Sequence, residues 1–201
     1  MSLSFGSKPA GSIIEQVAEH LTGTFGSDPQ RASVTFLGVE PIDVLRFVRQ
    51  RDVVFATVGC ARHPMHDPSD FAPDPQRGPR AEVTVTMRAT AGLQGLHKSL
   101  ATLAAAPSIE GLILAEDSLV DLQAPLWVGA ICTAFLLEAD PDVANLELAD
   151  PYDPVQFLRA IPITANEAAW VRLKGAGALR EAWAEAGTDP TDPQRTAVTP
   201  A

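Results

Sequence analysis

The chain has 201 residues, of which 46% are hydrophobic and 20% are charged, and its formal net charge is −10. This composition is typical of a globular protein and excludes an intrinsically disordered chain. No run approaches the roughly 20 apolar residues that a membrane-spanning helix needs, and the N-terminus has neither the charged leader nor the apolar core of a signal peptide. We therefore expect one compact domain in the cytoplasm.

The net negative charge comes entirely from the second half of the chain. Residues 101–201 carry fifteen acidic and five basic side chains, whereas residues 1–100 carry ten of each. Nucleic acids and anionic membranes require Lys and Arg for phosphate neutralisation, so neither is expected as a partner, and a basic protein is favoured. Acidic residues that directly precede proline are set aside as turn signals. The remaining candidates for an acidic binding surface are Glu116, Asp117, Asp121, Glu138, Asp142 and Glu147.

The first third of the chain predicts a helix followed by strands. Ser12 and Glu15 form a capping box, which predicts an α-helix that ends near Gly23. Three strand candidates follow at about 33–38, 42–49 and 53–60, close enough together for antiparallel hairpins. The third is apolar on both faces, which predicts a central strand. Residues 61–80 hold five prolines and are predicted to form a long loop.

The middle of the chain continues the alternation of strand and helix. Polar and apolar side chains alternate over residues 82–89, as in a half-buried strand. Leucines at helical spacing predict a helix over residues 93–106 with an apolar stripe. Short apolar runs at 112–114 and 119–122 favour a strand or hairpin without excluding helix. The continuous run at 131–137 predicts a second buried strand.

The C-terminal part predicts a strand followed by two helices. Thr164 and Glu167 form a second capping box, so a helix is expected to begin near Ala165 and to end at Gly175. A short helix then stops at Gly187. Together these elements predict an α+β fold, in which helices pack on one twisted, mixed or largely antiparallel sheet. The predicted domain spans residues 12–187, with a flexible segment at 1–11 and a disordered tail at 188–201.

The best candidate for chemistry is the loop segment CARHPMHD. Its Cys60, His63, His66 and Asp67 are residue types that bind zinc at close spacing, although no second cluster completes a site. An ordinary loop after a buried cysteine is the alternative interpretation. Catalysis by Cys60 with His63 would require a base held in geometry and a positive environment. Without a phosphate-binding glycine loop or hydrolase motif, we expect no cofactor and no enzymatic activity.

Three stretches resemble the Suppressor of fused domain family. Residues 155–183 contain a strand, a "PIT" turn and a helix that ends at "KGA.AL.E", which resemble the C-terminal part of that domain. The run VVFATVGCARHPM at 53–65 resembles the family's central strand and its "T.G....PM" loop. The strand at 81–89 resembles the strand just after it. The resemblance covers roughly residues 30–187 as one domain.

The resemblance implies a protein-binding role. The animal member of the family sequesters a transcription factor, whose peptide is held as an added strand between two domains, and this chain is too short for the second domain. Bacterial single-domain members are inferred to be immunity proteins, which neutralise a toxin, and an acidic surface would suit a basic toxin domain. Two alternatives remain. One is a metal-binding regulator or metal-dependent enzyme that uses the Cys60 to Asp67 loop, and the other is a scaffold or oligomer subunit.

Overall fold

A computed structural model describes residues 11–26, 28–89 and 92–198. The flexible segment predicted at residues 1–11 falls almost entirely outside these residues. The helices are α1 (Ile13–Phe25), α2 (Leu96–Glu110), α3 (Ala165–Lys174) and α4 (Ala176–Ala186). The strands are β1 (Gln30–Phe36), β2 (Val39–Val48), β3 (Asp52–Val58), β4 (Arg80–Arg88), β5 (Leu119–Asp121), β6 (Cys132–Ala139) and β7 (Val155–Thr164). Within the described part of the chain, no helix has both the length and the apolar character needed to cross a bilayer.

The strands form one mixed sheet in the order β1-β2-β3-β4-β7-β6-β5. The pairing of β4 with β7 is parallel and all the other pairings are antiparallel. This arrangement confirms the predicted α+β class and the two predicted hairpins. β3 lies between β2 and β4, as its continuous apolar sequence predicted.

Helices cover both faces of the sheet. α2 packs on a core that includes Val83, Val85 and Leu100, whereas α1 covers a second cluster that includes Phe47 and Phe157. α3 and α4 cover a third cluster on β6 and β7. Because central strands are covered on both sides, β4 is buried along almost its whole length. The prediction that the strand at 82–89 is half-buried is therefore wrong. Its polar side chains lie in the interior, where they require hydrogen-bond partners.

Two predicted elements differ from the structure in extent. The leucine helix begins at Leu96 and continues past Pro107 to Glu110. Residues 112–114 form no strand, because only Leu119–Asp121 pairs with β6. Of these three residues only Leu114 is buried, so this short apolar run indicated neither strand pairing nor burial for all of its members.

The C-terminal segment, residues 188–198, packs on the sheet. The β4–β7 pairing stops at Thr84 and Arg159, although β4 continues to Arg88 and β7 continues to Thr164. At this split the Arg88 N–H donates to the carbonyl of Thr191 at 2.9 Å. The disordered tail predicted from residue 188 is thus corrected over 188–198. Its polar composition suggested disorder, but those polar groups are used in contacts with the domain.

The registers place the strand termini at two ends of the sheet. β1, β3 and β6 finish at one end, where β2, β4, β5 and β7 begin. The loops 59–79 and 140–154 also lie at this end, which we call the acidic end. The Arg77 guanidinium donates to Asp150 at 3.2 Å, and the Gly78 N–H donates to Asp153 at 2.6 Å, so the two loops contact each other.

Candidate functional site

Two of the predicted acidic residues share an arginine at the acidic end. Nη1 of Arg180 lies 2.7 Å from a carboxylate oxygen of Asp117, and Nε of Arg180 lies 3.5 Å from Glu138. Arg159 on β7 also donates to Glu138, from Nε at 2.7 Å. The structure therefore brings Asp117 and Glu138 together, but it neutralises much of their charge with arginines from β7 and α4.

Asp121 is likewise paired. Its carboxylate accepts from Arg172 of α3 at 2.8 Å, and only 20% of its side chain is exposed. The Arg172 hydrogen bond is the main reason that the pKa of Asp121 lies below its usual value. Asp121 thus fixes α3 to β5 and contributes little free negative charge.

The other three predicted residues have no cationic partner among the residues that the structure describes. Glu116, Asp142 and Glu147 are exposed at the acidic end, and none of them takes part in a salt bridge among the described residues. Glu116 lies next to Asp117, whereas Asp142 and Glu147 lie in the 140–154 loop. These three carboxylates form the uncompensated part of the predicted acidic surface.

The 140–154 loop is held in place by contacts that the sequence did not predict. The Asp140 carboxylate accepts from the Thr84 hydroxyl and from the Asp142 N–H. Nε2 of His20 on α1 lies 2.7 Å from the carbonyl of Ala144, and Val143 is buried against α1. Asp142 is therefore presented on a loop with fixed anchor points.

Exposed apolar side chains lie at the same end of the sheet. Leu37 at the tip of the β1–β2 hairpin and Phe71 in the 59–79 loop are fully exposed. Ile109, Leu112 and Ile113, at and just beyond the end of α2, are 53%, 36% and 39% exposed. Exposed apolar side chains also occur at the opposite end of the sheet, at Val48, Val128 and Ile131, so what distinguishes the acidic end is their combination with free carboxylates. Sequence reasoning did not predict this exposure, because single apolar residues such as Leu37 and Phe71 carry no periodic signal and the run at 112–114 was interpreted as a strand or hairpin.

Contacts between loops join these apolar residues to the rest of the acidic end. The Leu114 N–H donates to Sδ of Met65 at 3.3 Å, and a Cβ at Gly111 would collide with the Pro68 ring. Gly111 closes α2 in the left-handed conformation, with φ +69°. The end of α2 therefore packs directly on the 59–79 loop.

A buried carboxylate anchors the start of the 59–79 loop. Glu82 is fully buried and accepts hydrogen bonds from the Thr57 hydroxyl at 2.5 Å, the Gly59 N–H at 2.7 Å and the Ala61 N–H at 3.0 Å. Burial raises the pKa of Glu82, and these hydrogen bonds offset only part of the shift. Arg80, also buried, donates to the carbonyls of Ala61, Arg62 and Gln76. These interactions fix the start of the loop.

The four candidate metal ligands serve other contacts. Cys60 is buried, and burial, followed by the charge of Glu82, raises its thiol pKa well above the usual value. His63 lies 2.9 Å from Glu40, and Asp67 accepts from the Ser69 N–H at 2.8 Å. His66 packs near Gly78. Among the residues that the structure describes, no group of three or more His, Cys, Asp or Glu side chains could hold a metal ion.

Comparison with known proteins agrees with this fold. The sequence model of the family described as Suppressor of fused protein (SUFU) matches residues 38–196. The chain belongs to the Suppressor of fused family. The match reaches beyond Arg195, so the C-terminal segment 188–196 falls within the family domain. Comparison with curated proteins finds no match.

Solved structures of Suppressor of fused proteins share the fold at low sequence identity. A putative SUFU homolog from Neisseria gonorrhoeae is 18% identical, with a TM-score of 0.68 over 92% of this chain and 96% of that one. A structure described as the Sufu-Fu complex is 13% identical, with a TM-score of 0.68 over 95% of this chain and 93% of that one. Drosophila Suppressor of Fused is 12% identical, with a TM-score of 0.64, and the match covers 93% of this chain but 50% of that one.

Proposed function

We propose that this Suppressor of fused domain is a non-enzymatic, cytoplasmic protein-binding domain that uses its acidic end to bind a basic protein. The observation that carries the proposal is the coexistence of free carboxylates, at Glu116, Asp142 and Glu147, with exposed apolar side chains at one end of the sheet. Apolar groups that lose their water on binding contribute affinity. Charged groups at the rim raise the association rate and select the partner.

Other features support a binding role over catalysis. The Cys60 thiol is buried and protonated, so it is a poor nucleophile. The buried Glu82 carboxylate accepts hydrogen bonds from backbone N–H groups of the loop. A solved structure with the same fold is described as the Sufu-Fu complex. That complex supports protein binding as the role of the present chain.

The specific role we propose is immunity against a bacterial toxin. Toxins that cleave nucleic acids have basic active sites, and an acidic inhibitor surface accelerates their capture at low ionic strength. The net charge of −10 suits such a partner and would repel nucleic acid itself. The partner expected is therefore a basic toxin domain.

The first test is a pull-down from the native organism at low and high salt, with identification by mass spectrometry. We expect one basic protein, or a toxin domain encoded beside this gene, that is retained at low salt and released at high salt. Equal recovery of only abundant cellular proteins at both salt concentrations would contradict the proposal.

Charge reversal with a matched control tests the surface. Glu116→Lys with Glu147→Lys changes the acidic end, whereas Asp52→Lys with Glu185→Lys makes the same charge change elsewhere. Asp52 begins β3 at the other end of the sheet, and Glu185 lies near the last turn of α4. We expect the first pair alone to weaken partner binding by about tenfold or more and to flatten its salt dependence. Equal weakening by both pairs would show that only net charge matters.

A further inference from the structure

A cavity lies at the end of the sheet opposite the acidic end. Its volume is about 230 Å³, and it opens between the edge strand β1, the neighbouring β2 and the first turn of α2. Val44 and Phe55, both buried, form its apolar floor. Its rim includes Gln30, Arg46 and His97. None of the residues that line it is acidic, although the whole chain is strongly acidic.

Arg46 supplies a positive charge that no carboxylate in the described part of the chain neutralises. Its Nη1 donates to Oε1 of Gln30 at 3.0 Å, and its guanidinium carbon lies 5.9 Å from the centre of the Phe55 ring. None of the salt bridges found within residues 11–26, 28–89 and 92–198 involves Arg46. Arg31, which also lines the cavity, differs from Arg46 because its Nε lies 3.3 Å from the Asp43 carboxylate.

His97 faces the same cavity from α2. Burial and then the nearby Lys98 lower its pKa, so the ring is neutral near pH 7 and offers a hydrogen bond in place of charge. The first turn of α2 contains no acidic residue. The cavity therefore combines one guanidinium that has no salt bridge among the described residues, one neutral imidazole and an apolar floor.

We propose that this cavity binds a small organic carboxylate with an aromatic or branched aliphatic body. The carboxylate would accept two parallel hydrogen bonds from Arg46, the geometry in which guanidinium groups bind carboxylates best. The body would lie on Val44 and Phe55. The volume is below the roughly 300 Å³ at which pockets for drug-sized ligands begin, so the body is limited to about one ring.

Benzoate tests the proposal on the full chain, with benzamide as a neutral molecule of the same shape. In NMR titrations of ¹⁵N-labelled protein, we expect saturable shifts of the backbone amides of Val44, Phe55 and His97 with benzoate at millimolar concentrations. Benzamide should bind at least about tenfold more weakly, because it lacks the charge that pairs with Arg46. This comparison needs no variant, so it does not depend on folding.

Arg46→Gln should weaken benzoate binding by about tenfold or more. The control is Arg49→Gln, since Arg49 also lies over a phenylalanine ring, that of Phe25 at 5.8 Å, but does not line the cavity. It should leave benzoate affinity unchanged. Equal binding of benzoate and benzamide, undiminished benzoate binding by Arg46→Gln, or no saturable shift in the wild type would each overturn the proposal.

Discussion

Glu167 and Arg195 form a buried ion pair that fastens the C-terminal segment to the domain. The side chains are 0% and 6% exposed, and Nη1 of Arg195 lies 2.7 Å from Oε1 of Glu167. Arg195 also donates to the carbonyl of Pro162 at 2.9 Å, and Nε1 of Trp183 donates to Glu167 at 3.0 Å. One carboxylate thus joins β7, α3, α4 and the segment 188–198.

Replacing either partner of this ion pair alone should lower the free energy of unfolding. Arg195→Met leaves the buried Glu167 carboxylate without its cation, and we expect the free energy of unfolding to fall by about 3–5 kcal/mol. Urea denaturation followed by tryptophan fluorescence measures the loss. In a double-mutant cycle with Glu167→Gln, the double variant should lose clearly less than the sum of the two single variants. Additive losses would show that the two side chains do not stabilise each other.

The same pair predicts a loss of stability in acid. Burial alone would raise the pKa of Glu167, but hydrogen bonds from Arg195, from the Thr164 N–H and from Trp183 outweigh burial and hold the pKa below its usual value. The pair therefore stabilises the protein fully above the unfolded pKa of about 4.3, and this stabilisation is lost as pH falls through the folded pKa. The difference in unfolding free energy between wild type and Glu167→Gln should narrow below about pH 4. A constant difference from pH 7 to pH 3 would contradict this prediction.

Glu82 should show the opposite pH dependence. Its pKa is raised, so ionisation costs stability as pH rises from the unfolded value of about 4.3 through the folded pKa. Glu82→Gln removes this ionisation, and its amide can still pair with Thr57 and the Gly59 N–H. We expect the variant to gain stability relative to wild type over that pH window, measured by thermal unfolding at several pH values. Glu82→Ala should destabilise at every pH, because it leaves buried loop N–H groups without an acceptor.

The N-cap of α3 should contribute more to the free energy of unfolding than the N-cap of α1. Both Thr164 and Ser12 accept from the N–H group three residues later, at 3.3 Å in each case, but Thr164 is buried and Ser12 is exposed. Thr164→Ala should lower the free energy of unfolding by about 1–2 kcal/mol, and Ser12→Ala by about 1 kcal/mol or less. Denaturant titration of the two variants compares them directly. A neutral Thr164→Ala would mean that Glu167 holds the helix start without the hydroxyl.

The loop prediction concerns His63 and His66. Because the His63–Glu40 pair lies at an exposed site, His63→Ala with His66→Ala should leave the thermal midpoint and partner binding nearly unchanged. Elemental analysis of the purified wild-type protein provides the independent check. Metal at one ion per chain, lost in the double variant, would restore the metal-binding alternative.

The sequence by itself determined the features that depend on near neighbours. The capping boxes at Ser12 and Thr164 each join residues three apart, so they can be read directly from the chain. Helical leucine spacing placed α2, and continuous apolar runs placed β3 and β6, because periodicity follows from local geometry. The resemblance of the segment around Thr164 to the Suppressor of fused domain then predicted the fold of the whole domain.

Only the tertiary structure decided which charges remain free. Asp117 and Glu116 are adjacent in sequence, yet Asp117 pairs with Arg180 whereas Glu116 forms no salt bridge within the described part of the chain. Arg195 looks like part of a polar tail until folding brings it to Glu167. Side chains from distant segments meet only after the sheet order and registers are set, and no local pattern encodes those meetings. The acidic composition could be read from the chain, whereas the uncompensated surface had to be found in three dimensions.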